Sequence, residues 1–167
     1  MKLLLLNAKV RRIAIALTFA LACKGSQSGY PVILDFSFLL IDSSTVASTK
    51  QIQEGTPFAL VYFDPDCHDC QKETEEILEN INKLSDVRIY FITDVRFERL
   101  KVFNRVYKIK NYSNIVLGRD FSQSFYKLYK PGGTPYTMIF DKKKRLRSVF
   151  SGQANIKDFI NVMEKLK

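Results

Sequence analysis

Phe58-Ala59-Leu60-Val61-Tyr62-Phe63 runs without a break into Asp64-Pro65-Asp66-Cys67-His68-Asp69-Cys70, and these thirteen residues set the terms for the rest of the chain. The first six are a continuous apolar run of strand length, as expected of a strand buried on both faces. Beyond the second cysteine, residues 71–84 place Ile77, Leu78, Ile81 and Leu84 on one helical face. Lys72, Glu73, Glu75, Glu76 and Glu79 lie opposite and read as a solvated face. A Cys-x-x-Cys pair therefore stands at a strand-to-helix junction, with both sulfurs inside one helical turn and close enough to bridge. The first sulfur lies at the helix N-terminus, where unpaired N–H groups and the helix dipole favour a thiolate. A thiolate is the species that attacks a disulfide, and a second thiol then resolves the mixed intermediate. Cys67 is the candidate nucleophile and Cys70 the candidate resolving thiol. His68 and Asp69, between them, are candidates for tuning the thiol pKa. Asp64, Asp66 and Asp69 oppose negative charge on Cys67, which favours electron donation or disulfide shuffling over disulfide creation. No cofactor is called for beyond a redox-active Cys67–Cys70 disulfide.

Upstream of this segment, Val32 to Ile41 is a β-rich apolar run read as an N-terminal strand, and Asp42 to Gly55 is polar and loop-like. Downstream, Val87 to Ile92 reads as a second buried strand. Leu100, Phe103 and Tyr107 mark a helix near 97–109, and Phe121, Phe125 and Leu128 a shorter one. The aromatic side chains of Phe97, Phe103, Tyr107, Phe121 and Phe125 are assigned to the core. Tyr136 to Asp141 and Leu146 to Ser151 form an expected hairpin. A closing helix starts near Ile156 with Asn155 as N-cap. Strands alternating with helices, followed by a hairpin, argue for an α/β layered domain with a mixed sheet over 32–167.

From Phe58 to Lys167 the chain resembles the thioredoxin superfamily, in particular its membrane-tethered periplasmic members. The likeness rests on the FALVYF strand, the CHDC motif opening a helix, and Gly133-Thr134-Pro135-Tyr136-Thr137 before the strand MIFD. Gly152 after the next strand and the terminal amphipathic helix complete it. The resemblance implies a thioredoxin-like fold, a central mixed sheet flanked by helices, with an N-terminal extension and an insertion before a cis-proline. It implies that Pro135 is that cis-proline, facing the cysteine pair, and that Thr134 presents backbone to bound substrate. Two positions depart from the family pattern. Val61 stands where thioredoxins carry a buried Asp that accepts the proton of the resolving thiol, and Phe63 matches their Trp. A water or a carboxylate from the 93–120 region is then expected to take that proton.

The N-terminus reads as an address. Lys2, Lys9, Arg11 and Arg12 precede an apolar run from Ile13 to Ala22 that ends at Cys23, the pattern of a secretory signal. About ten apolar residues are too few to span a bilayer. Ala20-Leu21-Ala22-Cys23 resembles a bacterial lipoprotein signal, with Leu21 one place later than the usual box has it, which implies 1–22 as signal peptide and Cys23 as the lipid attachment site. Residues 24–31 (KGSQSGYP) then make a polar tether, and 23–31 together join lipid to domain. Lys24 after Cys23 gives no inner-membrane retention cue by resemblance to bacterial sorting rules, so a periplasmic domain held at the outer membrane is favoured. The expected partners are exported proteins with cysteine pairs, an envelope electron-donor protein, and the membrane through the lipid.

The whole chain has 167 residues, net charge +9, 13 Phe, three Cys and one His. That length allows one domain with a sizeable core. Segment 1–22 holds four of the 26 basic residues and none of the 17 acids, which leaves a mature net charge of +5. Such a balance requires no nucleic-acid partner. The basic run Lys142-Lys143-Lys144-Arg145-Leu146-Arg147 reads as a solvated hairpin tip rather than a nucleic-acid or lipid patch, because no stacking aromatics interleave it. A structural zinc site needs four ligands, and the mature chain has neither a second cysteine pair nor a second histidine, so no metal is expected. Two readings of the cysteine pair stay open beside catalysis: a structural bridge, which stabilises little because its loop is short, and a redox-silent thioredoxin-like lipoprotein serving as a binding or assembly module.

Overall fold

The computed structural model describes residues 32–167; the expected signal peptide at 1–22 and the expected lipid attachment and tether at 23–31 lie outside the described residues. One seven-stranded mixed sheet organises the domain. The strands, in chain order, are β1 (Ser37–Leu40), β2 (Val46–Ser48), β3 (Phe58–Tyr62), β4 (Arg88–Thr93), β5 (Ile115–Arg119), β6 (Tyr136–Phe140) and β7 (Leu146–Ser151). The helices are α1 (His68–Glu79), α2 (Phe97–Val106), α3 (Ser124–Tyr129) and α4 (Ile156–Glu164). Across the sheet the order is β2-β1-β5-β4-β3-β6-β7. β3 lies inside it, parallel to β4 and antiparallel to β6.

That position explains the unbroken apolar run. Every residue of β3 is buried, and the strand period of two sends alternate side chains to opposite faces. Ala59, Val61 and Phe63 join a core that includes Ile77 of α1, Leu100 and Phe103 of α2, and Phe159 and Met163 of α4. Phe58, Leu60 and Tyr62 join a second core with Phe36, Phe38, Phe125 and Tyr129. Aromatic stacking binds this second layer, with Tyr62 lying over Phe125 at 4.6 Å and 5° and Phe58 over Phe140 at 4.9 Å and 11°.

Several expectations change. The 32–41 run is shorter as a strand than its composition implies: Val32 makes an isolated bridge to Arg145, and the ladder covers only Ser37–Leu40. The 42–55 stretch, expected as loop, contains β2 and a 3-10 turn at Thr49–Gln51, closed by a capping box between Ser48 and Gln51. β1 and β2 form the N-terminal extension and reach the main sheet through β5. β5 itself (IVLGR) was not anticipated from the sequence; a Gly and an Arg interrupt a run too short to carry a pattern. α1 begins at His68, immediately after the first cysteine, and gives way to a 3-10 turn at Ile81–Leu84. Phe103 and Phe125 are core, at 3% and 0% exposure, and Phe97 and Tyr107 pack against it, but Phe121 is half exposed. The β6–β7 hairpin forms as expected. Asn155 caps α4 by accepting from the N–H groups of Lys157 and Asp158 at 3.0 and 3.3 Å.

Gly118 on β5 marks a close approach between strands. A Cβ there would collide with the Phe38 ring and come within 3.3 Å of Ile92 Cδ1. Phe38 is 1% exposed and sits between Phe36 and Tyr90, so the ring has nowhere to go. Gly118→Ala is expected to cost about 1–3 kcal/mol by overpacking. Thermal unfolding should show a midpoint lower by roughly 3–9 °C, and an unchanged midpoint would mean that β1 shifts freely.

Candidate active site

The site forms where β3 runs out. The Phe63 N–H still pairs with the Ile92 carbonyl at 3.1 Å, after which the chain turns. The turn is built locally: Asp64 accepts from the Asp66 N–H through its side chain at 2.9 Å and from the Cys67 N–H through its carbonyl at 3.0 Å. Gln71 reaches back from α1 to the Pro65 carbonyl at 2.9 Å. Cys67 has extended backbone angles and is the N-cap of α1, its carbonyl accepting the first helical bond from the Gln71 N–H at 3.0 Å. Its sulfur therefore sits beside the free N–H groups of the first helical turn.

Both thiols are free, and they differ. Cys70 is 1% exposed, whereas Cys67 is partly open to solvent. Burial raises the Cys67 pKa, but the Cys70 thiol and N–H, the Thr134 hydroxyl and the Asp69 N–H outweigh it, and the net direction is below an ordinary thiol. Cys70 goes the other way, pushed up to about 12 by burial and by its hydrogen bond to Cys67. Negative charge thus settles on the outer sulfur while the inner one keeps its proton. His68 and Asp69 are both exposed at the start of α1.

The 130–135 loop closes the other side. The Thr134–Pro135 peptide bond is cis, and the Cys67 thiol approaches the Thr134 carbonyl at 3.6 Å. The Gly152 N–H donates to the Pro135 carbonyl at 3.0 Å, tying this loop to the end of β7. Residues 67 apart in sequence are thereby brought face to face.

Two features differ from the sequence reading. Glu73, assigned there to a solvated face, is 2% exposed. It accepts from the Thr137 hydroxyl at 2.6 Å and from the Ala154 N–H at 2.9 Å, and burial raises its pKa against these two bonds. A periodicity anchored on Cys70 and Ile77, both buried, would have placed residues 73 and 74 on the inner face. The second feature is Arg99 of α2, whose guanidinium pairs with Asp64 at 3.0 Å and also with Asp66. Two of the three carboxylates flanking Cys67 therefore have a cationic partner, which removes much of the electrostatic argument against a thiolate. No local signal links Arg99 to residues 33 and 35 positions away.

Comparison with known proteins agrees with this geometry. A thioredoxin-like domain model matches residues 46–167, whereas no curated protein matches the chain by sequence. Among solved structures, a secreted Mycobacterium tuberculosis disulfide oxidoreductase homologous to E. coli DsbE superposes with TM-score 0.66 at 13% identity, over 78% of this chain and 96% of that one. The exposed lipoprotein thioredoxin of Streptococcus pneumoniae gives 0.62 at 17% identity, over 80% and 100%. A peroxiredoxin-like protein from Aquifex aeolicus gives 0.69 at 14% identity, over 86% and 90%. With a Cys-x-x-Cys pair capping the helix after a central strand, a cis Thr-Pro bond opposite, and a family match across the sheet that carries both, the chain belongs to the thioredoxin-like domain family.

Proposed function

We propose that the protein is a thiol–disulfide oxidoreductase of the cell envelope, held at the membrane through Cys23, which reduces or shuffles disulfides of exported proteins. The observation that carries the reading is the asymmetry of the pair, with a partly exposed, acidified Cys67 in front of a buried Cys70 whose pKa is near 12. The Cys67 thiolate attacks one sulfur of a substrate disulfide, forming a mixed disulfide and releasing the other sulfur as a thiolate that takes up a proton. Cys70 then loses its proton and attacks Cys67 Sγ. The second substrate sulfur leaves as a thiol, and a Cys67–Cys70 disulfide forms. Two electrons pass to the substrate, and a dithiol electron-donor protein of the envelope returns them. Substrate backbone lies along Thr134 and Pro135.

The proton of Cys70 needs an acceptor, and Val61 supplies none. Glu73 takes this role: it lies one helical turn beyond Cys70 on the same buried face, with a pKa raised toward the range in which a carboxylate can accept a proton and release it again. The sequence reading looked instead to a water or a carboxylate from the 93–120 region.

Alkylation after mild reduction tests the pair directly. At neutral pH Cys67 should react and Cys70 should not, with the Cys67 rate rising with pH to a midpoint below the ordinary 9.0. The Cys70→Ala variant should accumulate mixed disulfides with exported proteins, whereas the Cys67→Ala variant should trap none. Labelling of neither thiol, together with no trapping, would favour the redox-silent binding module.

A further inference from the structure

The basic hairpin tip and the catalytic turn lie at opposite ends of the sheet. β3 pairs with β6 so that Phe58 faces Phe140 and Tyr62 faces Tyr136. The turn after Phe140 is therefore a full strand length from Cys67, roughly 17 Å at about 3.3 Å per residue. That turn carries Lys142, Lys143 and Lys144. Lys50 joins it, its carbonyl accepting from Lys144 Nζ at 3.2 Å. Next to it, Arg88, Lys142 and Lys167 line a cleft of about 580 Å³.

One of the carboxylates at this end is spent inside the domain. Asp141 is 6% exposed and accepts from the N–H groups of Lys143 and Arg145 at 2.9 and 3.0 Å, while its other oxygen holds the Arg145 and Arg147 side chains. Asp35 is engaged by the Ser48 hydroxyl at 2.6 Å, and Asp86 stands 3.8 Å from Lys167. Asp35, Asp86 and Glu54 are exposed. Lys143 is exposed at the tip, Lys142 donates to an oxygen of Lys167 and Lys144 to the Lys50 carbonyl, and among the described residues no side-chain carboxylate pairs with these three.

The chain also enters the domain at the basic end. Val32 bridges Arg145, and the Ile33 N–H donates to the Lys144 carbonyl at 3.0 Å. Eight residues, 24–31, lie between Cys23 and Val32, nine backbone steps with a reach of at most about 32 Å at roughly 3.5 Å per step. A tether attached there presents the basic end first to whatever surface holds its other end.

We infer that the Lys142–Lys144 turn, with Lys50, Arg88 and Lys167, is a docking face for an anionic phospholipid surface, which orients the tethered domain with Cys67 pointing away from the membrane. This rests on the membrane attachment in the proposed function. The sequence alone reads this run as a solvated tip for want of stacking aromatics, but an anionic lipid surface needs none, because its phosphate headgroups attract clustered lysines through charge without a shaped pocket. Contact of this kind is short-ranged and sensitive to salt.

Lysine acetylation read by mass spectrometry tests the inference. The full chain is reconstituted with vesicles of phosphatidylcholine alone, or with about 30% phosphatidylglycerol, and attachment is followed separately by flotation. In anionic vesicles, Lys143 and Lys144 should react at least about threefold more slowly than in neutral ones, with Lys101 of α2 and Lys127 of α3 unchanged. Added salt at about 0.5 M should abolish the difference. Flotation with both vesicle types but equal lysine reactivity overturns the docking face and leaves the attachment standing. Protection in anionic vesicles without flotation on neutral ones upholds the docking face and removes the attachment. Protection by a soluble polyanion but not by anionic vesicles overturns the assignment to lipid.

Discussion

The Cys67→Ser variant is expected to lose disulfide reduction down to the uncatalysed background, a fall of about three orders of magnitude or more. A serine hydroxyl stays protonated at neutral pH and forms no mixed disulfide, so neither half of the exchange survives. The substitution should leave the fold intact. Cys67 is partly exposed, makes no side-chain capping bond to α1, and contributes to the turn mainly through its backbone. Thermal unfolding should therefore stay within about 0.5 kcal/mol of the reduced wild type. The comparison is informative because Cys70→Ser separates the two roles. That variant keeps the attacking sulfur, so it should still form the mixed disulfide but stall there. The acidity of Cys67 gives a second signature. Its thiolate is favoured above a pKa that lies below 9.0, so wild-type reactivity rises as pH increases through that value. Cys70, near 12, contributes nothing to the profile in this range. A Cys67→Ser protein that retained turnover would remove the cysteine pair from the chemistry altogether.

Much of this arrangement was legible in the chain, and the exceptions share a cause. The FALVYF run could be read because a strand buried on both faces has only one composition available to it. Cys67 and Cys70 could be placed because a strand-to-helix junction fixes their spacing locally. Pro135 and Thr134 were placed by resemblance, and the cis bond and the 3.6 Å contact with Cys67 agree with it. Glu73 and Arg99 escaped because their surroundings come from distant segments. Thr137 and Ala154 make the site that buries Glu73, 64 and 81 residues away. Arg99 finds its aspartates only because α2 packs beside the turn. β5 escaped for a related reason. Its place between β1 and β4 demands Gly118 for close packing rather than a run of branched residues, so the strand lacks the pattern that betrays β3. A charged side chain is read from sequence as solvated by default, and only tertiary partners reverse that default.

Glu73 is where this reversal has the largest consequence, and its two substitutions should behave differently. Glu73→Ala leaves the Thr137 hydroxyl and the Ala154 N–H without their acceptor in a buried site and opens a cavity there. A loss of about 2–4 kcal/mol is expected, seen as a midpoint lower by roughly 6–15 °C. Glu73→Gln keeps the shape, and its carbonyl can accept from Ala154 while its amide donates to the Thr137 oxygen, so it should fold as well as the wild type. The difference between them is the charge. Burial raises the folded pKa of Glu73 above the ordinary 4.5, so the folded protein holds the proton more tightly than the unfolded chain does. The associated stability is fully present below pH 4.5 and is lost as the pH rises through the higher folded value. Glu73→Gln carries no such titration. Its stability relative to the wild type should therefore grow across that window and level off above it, as denaturant titrations over pH would show. Its chemistry should suffer where its stability gains. With no carboxylate to take the Cys70 proton, resolution of the mixed disulfide should slow by about 10²-fold. Alkylation of Cys67, which needs no such acceptor, should be unchanged. A Gln variant that resolves mixed disulfides at the wild-type rate would leave Glu73 as a structural tie between α1, β6 and the loop before α4, and the proton would have to leave Cys70 by way of solvent.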